Sequence, residues 1–230
     1  MEKRIALVTG ANRGIGKEVV KQLAELGYIV FLGSRDLEKG EEAVKKLIPQ
    51  DNIFCIALDV TNEESINKAK NIIENKFGQL DVLVNNAGIL YDSWHDVSNA
   101  DLKTVREAMD TNTYGPLRVT QAMLPLLLKS TRGRIVNVSS EAGSLASMKA
   151  APPAYNLSKV ALNGLTRMFA DLLRPKDILV NSVCPGWTHT DMGGGGRPIP
   201  EGAKSVVWAV TIHDDGPTGG FFRDGKKLEW

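Results

Sequence analysis

The chain has 230 residues, a length that suits one α/β domain, although two small domains would also fit. Hydrophobic residues make up 43% of it and charged residues 24%, which excludes a disordered or fibrous chain. The formal net charge is +1 and no long basic stripe is present, so we expect a small-molecule partner rather than a nucleic acid.

Cysteine content and hydropathy bear on the compartment of the protein. Cys55 and Cys184 are too few and too far apart for a disulfide framework or a zinc site. The apolar run that begins at Ile5 is too short for a signal peptide, and no later segment has the length needed to span a bilayer. We therefore predict a cytoplasmic protein with no membrane partner. Because His95 and His213 have no ligand-like neighbours at useful spacing, and His189 fits a loop residue beside a proline-glycine turn, we predict no metal site.

Short apolar runs alternate with stretches of helical periodicity, a pattern typical of βαβ units around a buried parallel sheet. The pattern predicts strands near 5–9, 28–33, 53–58, 81–85, 134–139 and 178–183, and a short final strand at 219–222. Predicted helices include 16–26, which Gly27 should stop, 101–129, with a break at 112–116, and 202–210. We expect one doubly wound α/β domain over 1–230, with a substrate loop near 188–202 whose stretch 193–200 is mobile.

A glycine-rich turn joins the first predicted strand to the first predicted helix. Gly10, Gly14 and Gly16 lack side chains, so the backbone can turn sharply and approach a pyrophosphate. The amide groups and dipole of the following helix favour the negative charge. This context predicts a dinucleotide site, although the spacing departs from the general G-x-G-x-x-G fingerprint. A turn that binds no ligand is the alternative.

Tyr155 and Lys159 are four residues apart in a predicted helix and therefore share one face. A free phenol has a pKa of about 10, and an adjacent ammonium group would lower it. Reduction of a ketone by hydride places negative charge on the carbonyl oxygen, so the site needs a proton donor and a polarising hydrogen bond. The pair fits that chemistry, whereas an ordinary half-exposed helix pair is the alternative.

These motifs together resemble the short-chain dehydrogenases/reductases over essentially the whole chain. The segment 9–16 matches the family pattern T-G-x-x-x-G-x-G, and Asn85-Asn86-Ala87-Gly88, Ser139-Ser140 and Tyr155-x-x-x-Lys159 follow it along the chain. The resemblance implies a Rossmann-type, mostly parallel sheet of seven strands with helices on both faces.

The same resemblance implies a role for each catalytic residue. Tyr155 is the proton donor, and Lys159 assists it and holds the nicotinamide ribose. Ser140 orients the substrate oxygen. Asn112 anchors a water that leads protons to the lysine. Ser140 is preferred over Ser139 because the second serine of the pair is usually catalytic in the family, and because strand alternation turns the two apart.

Cofactor-binding residues also follow from the resemblance, with Asp59 near the adenine and Asn86 beside the adenosine ribose. The implied set is Gly10, Asn12, Arg13, Gly14, Ile15, Gly16, Ser34, Arg35, Asp59, Val60, Asn86, Ala87, Gly88, Tyr155, Lys159, Pro185, Gly186, Thr188 and Thr190.

The choice of dinucleotide depends on the charge that follows the second strand. An acid there would bind a ribose 2′-hydroxyl, but this chain has Ser34 and Arg35, with Arg13 in the glycine turn as a second cation. We therefore predict NADP(H), with NAD(H) less favoured. Asp36 complicates this prediction, since it could weaken the preference, orient the arginine or cap the next helix.

The sequence is most similar to the carbonyl-reductase branch of the family, which implies NADPH-dependent, reversible reduction of a ketone or aldehyde. The alternatives are a regulatory protein that binds NADP(H) without turnover, and a family member that catalyses epimerisation or dehydration. Some monomeric members of the branch carry a long insertion between the serine and the tyrosine. This chain has only 141–154 there, so we expect a homodimer or homotetramer.

Overall fold

The structure is a computed structural model that describes residues 3–48 and 51–230. Six parallel strands lie within a residue or two of their predicted positions. They are β1 (Ile5–Val8), β2 (Ile29–Ser34), β3 (Ile53–Ala57), β4 (Val82–Asn85), β5 (Arg134–Val138) and β6 (Leu179–Val183). Two further strands, β7 (Phe221–Arg223) and β8 (Lys226–Lys227), complete one sheet with the order β3-β2-β1-β4-β5-β6-β7-β8. The predicted doubly wound α/β fold is confirmed.

The described part of the chain has eight strands rather than the seven expected. β8 is the additional strand, and it pairs antiparallel with β7 while every other neighbouring pair is parallel. Asp224 and Gly225 connect the two strands with φ angles of 52° and 75°. Two consecutive residues of positive φ fit a tight hairpin turn, and Asp-Gly is a favoured sequence for it. The extra strand is therefore a local hairpin at the edge of the sheet.

Helices cover both faces of the sheet. They are α1 (Gly14–Glu25), α2 (Leu37–Lys45), α3 (Glu63–Phe77), α4 (Leu102–Met109), α5 (Gly115–Leu127), α6 (Pro153–Leu173) and α7 (Ile199–Thr211). One buried cluster joins side chains of α1, α2 and α7 to one face, and the other joins α3, α5 and α6 to the opposite face. Among the described residues, no helix is both long enough and apolar enough to cross a membrane.

The predicted break in the segment 101–129 is a π-helical turn. Residues Asp110–Tyr114 form this turn between α4 and α5, and Gly115 donates its amide to the carbonyl of Asp110. Pro116 explains the wide turn, because it has no N–H to donate to the carbonyl of Asn112 as a regular α-helix would require. Asn112 therefore lies within a π-helical turn, where the position of its side chain differs from that in a regular α-helix.

The sheet order also fixes where a ligand can bind. β2 and β3 lie on one side of β1, and β4 pairs with the other side of β1, so the strand order reverses between β1 and β4. Loops after β1 and β4 therefore leave the sheet toward opposite faces and open a crevice at the carboxyl ends of the strands. Nearly all the predicted site residues follow strands at this edge.

Candidate active site

Most of the predicted cofactor residues lie at the ends of β1, β2, β3, β4 and β6 or in the loops that follow them, and the other two, Tyr155 and Lys159, lie on α6. Segment 10–16 follows β1, Ser34 ends β2 and Arg35 follows it, 59–60 follow β3, 86–88 follow β4 and 185–190 follow β6. Because parallel strands end at the same edge of a sheet, these loops are brought together although they are far apart in sequence.

The glycine turn is held against the loop after β4. Asn86 donates through Nδ2 to the carbonyls of Thr9 (2.9 Å) and Gly10 (3.1 Å). In return, the hydroxyl of Thr9 accepts the amides of Asn86 and Ala87, both at 3.0 Å. Gly10 has a φ of +61°, and a Cβ on it would lie 2.8 Å from Cα of Ala87. A side chain larger than hydrogen is therefore excluded from the centre of the turn.

Helix α1 begins in this turn with its first amides available. Arg13 is the N-cap residue and makes no side-chain cap, and the first turn contains no acidic residue. Free amides and the helix dipole stabilise an anion at such a terminus. Asn12, Gly14, Ile15 and Gly16 lie in or directly before this first turn. The backbone here fits a pyrophosphate.

The residues at the end of β2, where we expect the 2′-phosphate, differ in the hydrogen bonds and ion pairs that they make within the protein. Ser34 is buried and donates its hydroxyl to the carbonyl of Asp36 at 2.7 Å. Arg35 is exposed, and within 3–48 and 51–230 it makes no hydrogen bond or ion pair. Asp36 caps α2 by accepting the amide of Lys39 and also pairs with its ammonium group at 3.1 Å. Of the three possible roles for Asp36, the structure therefore shows the helix cap.

Asp59 and Val60 line the loop after β3. Oδ1 of Asp59 accepts the amide and hydroxyl of Thr61 at 2.9 and 2.7 Å, and its own amide donates to Oγ of Ser65. Val60 is buried and packs against Gly115 at the start of α5. The loop is thus closed on itself, with one carboxylate oxygen of Asp59 outside these bonds.

Tyr155 lies beside Ser140 at the other end of the crevice. Ser140 lies two residues after the end of β5 and directly precedes a 3₁₀ turn, Glu141–Gly143, whose Ala142 donates its amide to Oγ of Ser140 at 3.2 Å. Tyr155 is in the first turn of α6, and the hydroxyl of Ser140 lies close enough to its phenol to lower the pKa of that group. Ser139 is buried, and its hydroxyl has no partner among the described residues. Ser140 is therefore the serine that faces the phenol.

Lys159 lies one turn after Tyr155 on the same side of α6. It is buried, its Nζ donates to the carbonyl of Val138 at 2.8 Å, and Nζ lies 5.5 Å from the centroid of the Tyr155 ring. Nζ also lies near Gly88, since a Cβ built on that glycine would be 3.7 Å from it. Lys159 thus connects the tyrosine to the loop after β4.

The pKa of Tyr155 is raised in this structure, whereas the sequence led us to expect a lowered value. Burial raises the pKa of Tyr155 to about 12, although the nearby hydroxyl of Ser140 acts in the opposite direction. Burial also lowers the pKa of Lys159 to about 8. The reason is that desolvation penalises the charged form of each group, and it is the largest influence on both pKa values.

Asn112 occupies the π-turn and is completely buried. Its Oδ1 accepts the amide of Ile89 at 2.8 Å, and its Nδ2 donates to the carbonyl of Ile89 at 2.9 Å and to Oγ of Ser158 at 3.0 Å. The side chain is therefore occupied in joining the loop after β4 to α6. A water relay toward Lys159 would have to use the backbone carbonyl of Asn112.

Comparisons with known proteins agree with this geometry. The family model described as short chain dehydrogenase matches residues 4–198. The chain belongs to the short-chain dehydrogenase family. The resemblance seen in the sequence motifs is thereby confirmed.

Several relatives of this short-chain dehydrogenase cover nearly its full length. A (+)-neomenthol dehydrogenase from Arabidopsis thaliana is 34% identical over 284 aligned positions, which include 95% of each chain. A salutaridine reductase from Papaver bracteatum is 33% identical, covering 98% of this chain and 95% of the relative. The crystal structure of an NADPH-bound carbonyl reductase from chicken fatty liver superposes with a TM-score of 0.90 at 31% identity, covering 100% of both chains.

The loop after β6 is closed over the glycine turn of this short-chain dehydrogenase. Thr188 is buried and donates its hydroxyl to the carbonyls of Pro185 (3.2 Å) and Gly186 (3.0 Å). Thr190 packs near Gly14, where a Cβ would lie 3.6 Å from its methyl group, and its hydroxyl accepts the amide of Gly193 at 3.1 Å. Backbone bonds of 188–197 thus hold Thr188 and Thr190 beside the start of α1.

Arg13 also contacts this loop. Its Nη1 donates to Oδ2 of Asp191 at 2.7 Å, and both side chains are more than two thirds exposed. The predicted phosphate ligand is therefore engaged with an acid of the substrate loop. An exposed pair of this kind contributes about 1 kcal/mol or less, so a phosphate can compete for the arginine.

Several residues that build the site were not identified from the sequence. Thr9, Val138 and Ser158 each hold a predicted residue in place through a hydroxyl or a backbone carbonyl. Thr9 could have been found, because it begins the glycine pattern of the family. Val138 acts through its backbone, and no side-chain pattern reports such a contact.

Proposed function

We propose that the protein is an NADPH-dependent carbonyl reductase that converts a ketone or aldehyde to an alcohol, reversibly. The observation that carries this proposal is the placement of Tyr155 against Ser140, with Lys159 between the tyrosine and the loop after β4. NADPH supplies the hydride when it is bound. The relatives described above, by name a dehydrogenase and two reductases, support the same reaction class.

Tyr155 serves as the proton donor in this proposal. With a pKa of about 12 it carries its proton at neutral pH, which is the form needed to protonate an oxygen that is gaining negative charge. The hydroxyl of Ser140, which lies beside the phenol, supplies a second donor for the same oxygen. The Lys159 ammonium group stabilises the phenolate that remains after proton transfer.

Positive charge at the adenosine end supports NADP(H) over NAD(H). Arg35 has no internal partner among the described residues, and Arg13 has only an exposed one. Guanidinium groups bind phosphate in a bidentate manner, and β2 ends at Ser34 rather than at an acid that would bind a ribose 2′-hydroxyl. The fit of the glycine turn and of the uncapped start of α1 to a pyrophosphate completes the proposed cofactor site.

A screen of ketones and aldehydes, followed by the absorbance of NADPH and NADH in parallel, tests the reaction. Tyr155→Phe should lower kcat by about 10²- to 10⁴-fold while NADPH still binds, because only the proton donor is removed. Tyr28→Phe is the matched control, since the one hydrogen bond of that hydroxyl among the described residues comes from Arg4. Binding of NADPH with no turnover of any carbonyl by the wild type would favour a regulatory protein instead.

The cofactor preference is tested separately. Arg35→Ala should raise the KM for NADPH by about tenfold and leave that for NADH nearly unchanged, because a charge-assisted bond to the 2′-phosphate is lost. Arg174→Ala, an exposed arginine at the end of α6, is the control for loss of a surface charge. Equal changes for both cofactors would remove Arg35 from the phosphate site.

We also propose that the protein is cytoplasmic and assembles as a homodimer or homotetramer. Leu157, Met168 and Leu172 form an exposed apolar stripe along α6, in a chain whose cysteines are both free. The alignment with the neomenthol dehydrogenase is 284 positions long against 230 residues here, so that relative contains segments that this chain lacks. Light scattering in solution tests the assembly, and a monomer mass at micromolar concentration would contradict it.

A further inference from the structure

The helix that carries Tyr155 and Lys159 begins without a cap of its own. α6 starts at Pro153, and the residue at its N-cap position, Pro152, provides no side-chain hydrogen bond. The first amides of a helix have no acceptor within the helix, and a nearby side-chain oxygen normally accepts a hydrogen bond from one of them. The first amide of α6 that can be capped is that of Ala154, since a proline N1 has no N–H.

Asp92 supplies this missing cap from another part of the chain. Its Oδ2 accepts the amide of Ala154 at 2.5 Å across a separation of 62 residues, and the side chain is only 2% exposed. A carboxylate is favoured at a helix N-terminus by the free amides and by the dipole. Asp92 lies in the loop after β4, a few residues beyond the predicted cofactor residues Ala87 and Gly88.

The same loop is attached to α6 at a second point. Asn112 binds both backbone groups of Ile89 and also donates to Oγ of Ser158. That hydroxyl donates in turn to the carbonyl of Tyr155 at 2.7 Å. Tyr155 is therefore bracketed, with the Asp92 contact one residue before it and the Ser158 contact on its own carbonyl.

We propose that Asp92 is a positioning residue for Tyr155, acting through the amide of Ala154. This inference rests on the proposed function of Tyr155 as proton donor. Removal of the carboxylate frees the first turn of α6 while Lys159, one turn further, stays bound to the carbonyl of Val138. Displacement of a reacting group by about 1 Å can cost up to a hundredfold in rate, so the effect falls on kcat rather than on cofactor binding.

The test compares Asp92→Ala and Asp92→Asn in the full-length protein. We expect Asp92→Ala to lower kcat for carbonyl reduction by about ten- to a hundredfold, with the KM for NADPH within about twofold of the wild type. Asp92→Asn keeps an acceptor oxygen and should recover much of the loss. Asp101→Ala is the matched control, because Asp101 caps α4 through the amides of Lys103 and Thr104 and, among the described residues, forms no hydrogen bond with α6.

Hydrogen exchange measured by mass spectrometry gives a readout that does not require activity. Asp92→Ala should increase exchange in the first turn of α6, whereas Asp101→Ala should increase it only in α4. An unchanged kcat, or a fall in kcat that Asp101→Ala reproduces, would overturn the inference. If the wild type reduces no carbonyl, the proposed function fails, and the exchange data still decide whether Asp92 holds the start of α6. If Asp92→Ala does not fold, Asp92→Asn should still show a lower kcat than the wild type and faster exchange in the first turn of α6, because a neutral amide oxygen is a weaker acceptor than a carboxylate. Wild-type values of both quantities in Asp92→Asn would then overturn the inference.

Discussion

Tyr155 and Lys159 show how burial sets the chemistry of single residues. Both groups have pKa values displaced toward their neutral forms, because water is largely excluded from their polar ends. A tyrosine with a raised pKa remains protonated at neutral pH, which is the form that the proposed proton donation requires. For the lysine, a lowered pKa brings loss of its charge into the range where enzymes are assayed.

The charge of Lys159 predicts an alkaline limit for carbonyl reduction. With a pKa of about 8, the ammonium form predominates below that pH and the neutral amine above it. The neutral amine does not stabilise a phenolate, so kcat should fall as the pH rises through about 8. A pH profile of kcat at saturating NADPH measures this limit.

Lys159→Arg is the informative variant for this profile. Arginine remains charged far above neutrality, so whatever activity the variant retains should lack the decline near pH 8. The pH at which kcat declines reports the charge of residue 159, whereas the absolute rate also depends on the different shape of the arginine side chain. Comparing the pH of the decline therefore separates the two effects. The same alkaline limit in the variant would assign it to another group.

At the scale of elements, the site depends on the close approach of the 3₁₀ turn after β5 to helix α6. A Cβ on Gly143 would lie 2.7 Å from the carbonyl carbon of Lys159 and 2.8 Å from its oxygen. Both atoms belong to the backbone and cannot move aside independently. Asn163 strengthens this contact by donating to the carbonyl of Gly143 at 2.9 Å. The turn that begins at Ser140 is therefore packed directly on the helix that carries Tyr155.

Gly143→Ala should accordingly reduce both stability and turnover. We expect a loss of about 1–3 kcal/mol in the free energy of unfolding, typical of overpacking, together with a lower kcat because the turn moves away from α6. Gly164→Ala is the matched control on the same helix, where a Cβ meets nothing within 4 Å. It should stabilise the protein by about 0.5–1 kcal/mol through helix propensity. Urea unfolding and steady-state rates measure both variants, and equal effects would contradict the packing argument.

The sequence predicts elements better than it predicts contacts between them. Strands buried on both faces are continuous apolar runs, so β1 to β6 could be located from hydropathy alone. β8 was missed because its two residues are lysines, although Asp224-Gly225 carried the signal of a hairpin turn.

Within the candidate site, residues that belong to local sequence motifs could be predicted, whereas contacts between distant segments could not. The glycine turn and Tyr155-x-x-x-Lys159 are local patterns with a recognisable spacing. The contact of Asp92 with Ala154 and that of Arg13 with Asp191 join positions 62 and 178 residues apart. Such contacts follow from how loops meet in three dimensions, and burial shifts the pKa of Tyr155 in a direction opposite to that suggested by its neighbour in sequence.

At the scale of the whole molecule, a cluster of three arginines around Asp214 lies at the amino-terminal ends of the parallel strands, on the side of the sheet away from the site. Arg134 begins β5, is 1% exposed and donates to Asp214 at 2.5 Å. Asp214 also pairs with Arg132 at 3.0 Å and with Arg4 at 3.7 Å, which brings the starts of β1 and β5 against the segment after α7. One carboxylate thus compensates a fully buried guanidinium and joins three parts of the chain.

Asp214→Asn should therefore destabilise the fold without changing the chemistry of the site. Loss of one partner of a buried pair costs about 3–5 kcal/mol, and because the Asp214 side chain is 45% exposed and water screens it, we expect about 2 kcal/mol. Asp110→Asn breaks the pair with Arg118, in which both partners are more exposed than Arg134, and should cost less than about 1 kcal/mol.

The pH dependence of unfolding provides the sharper measurement of this cluster. Although its own burial raises the pKa of Asp214, the hydrogen bond and charge of Arg134 outweigh this and hold that pKa below its ordinary value of 3.8. A carboxyl group with a lowered pKa in the folded state stabilises the protein above its unfolded pKa, and this stabilisation is lost as the pH falls through the folded value. Urea unfolding of the wild type between neutral pH and pH 3 should therefore show a decline that is shallower in Asp214→Asn, which has no carboxylate to protonate. Parallel curves for the two proteins would mean that Asp214 does not contribute to acid sensitivity and that Arg134 is compensated elsewhere.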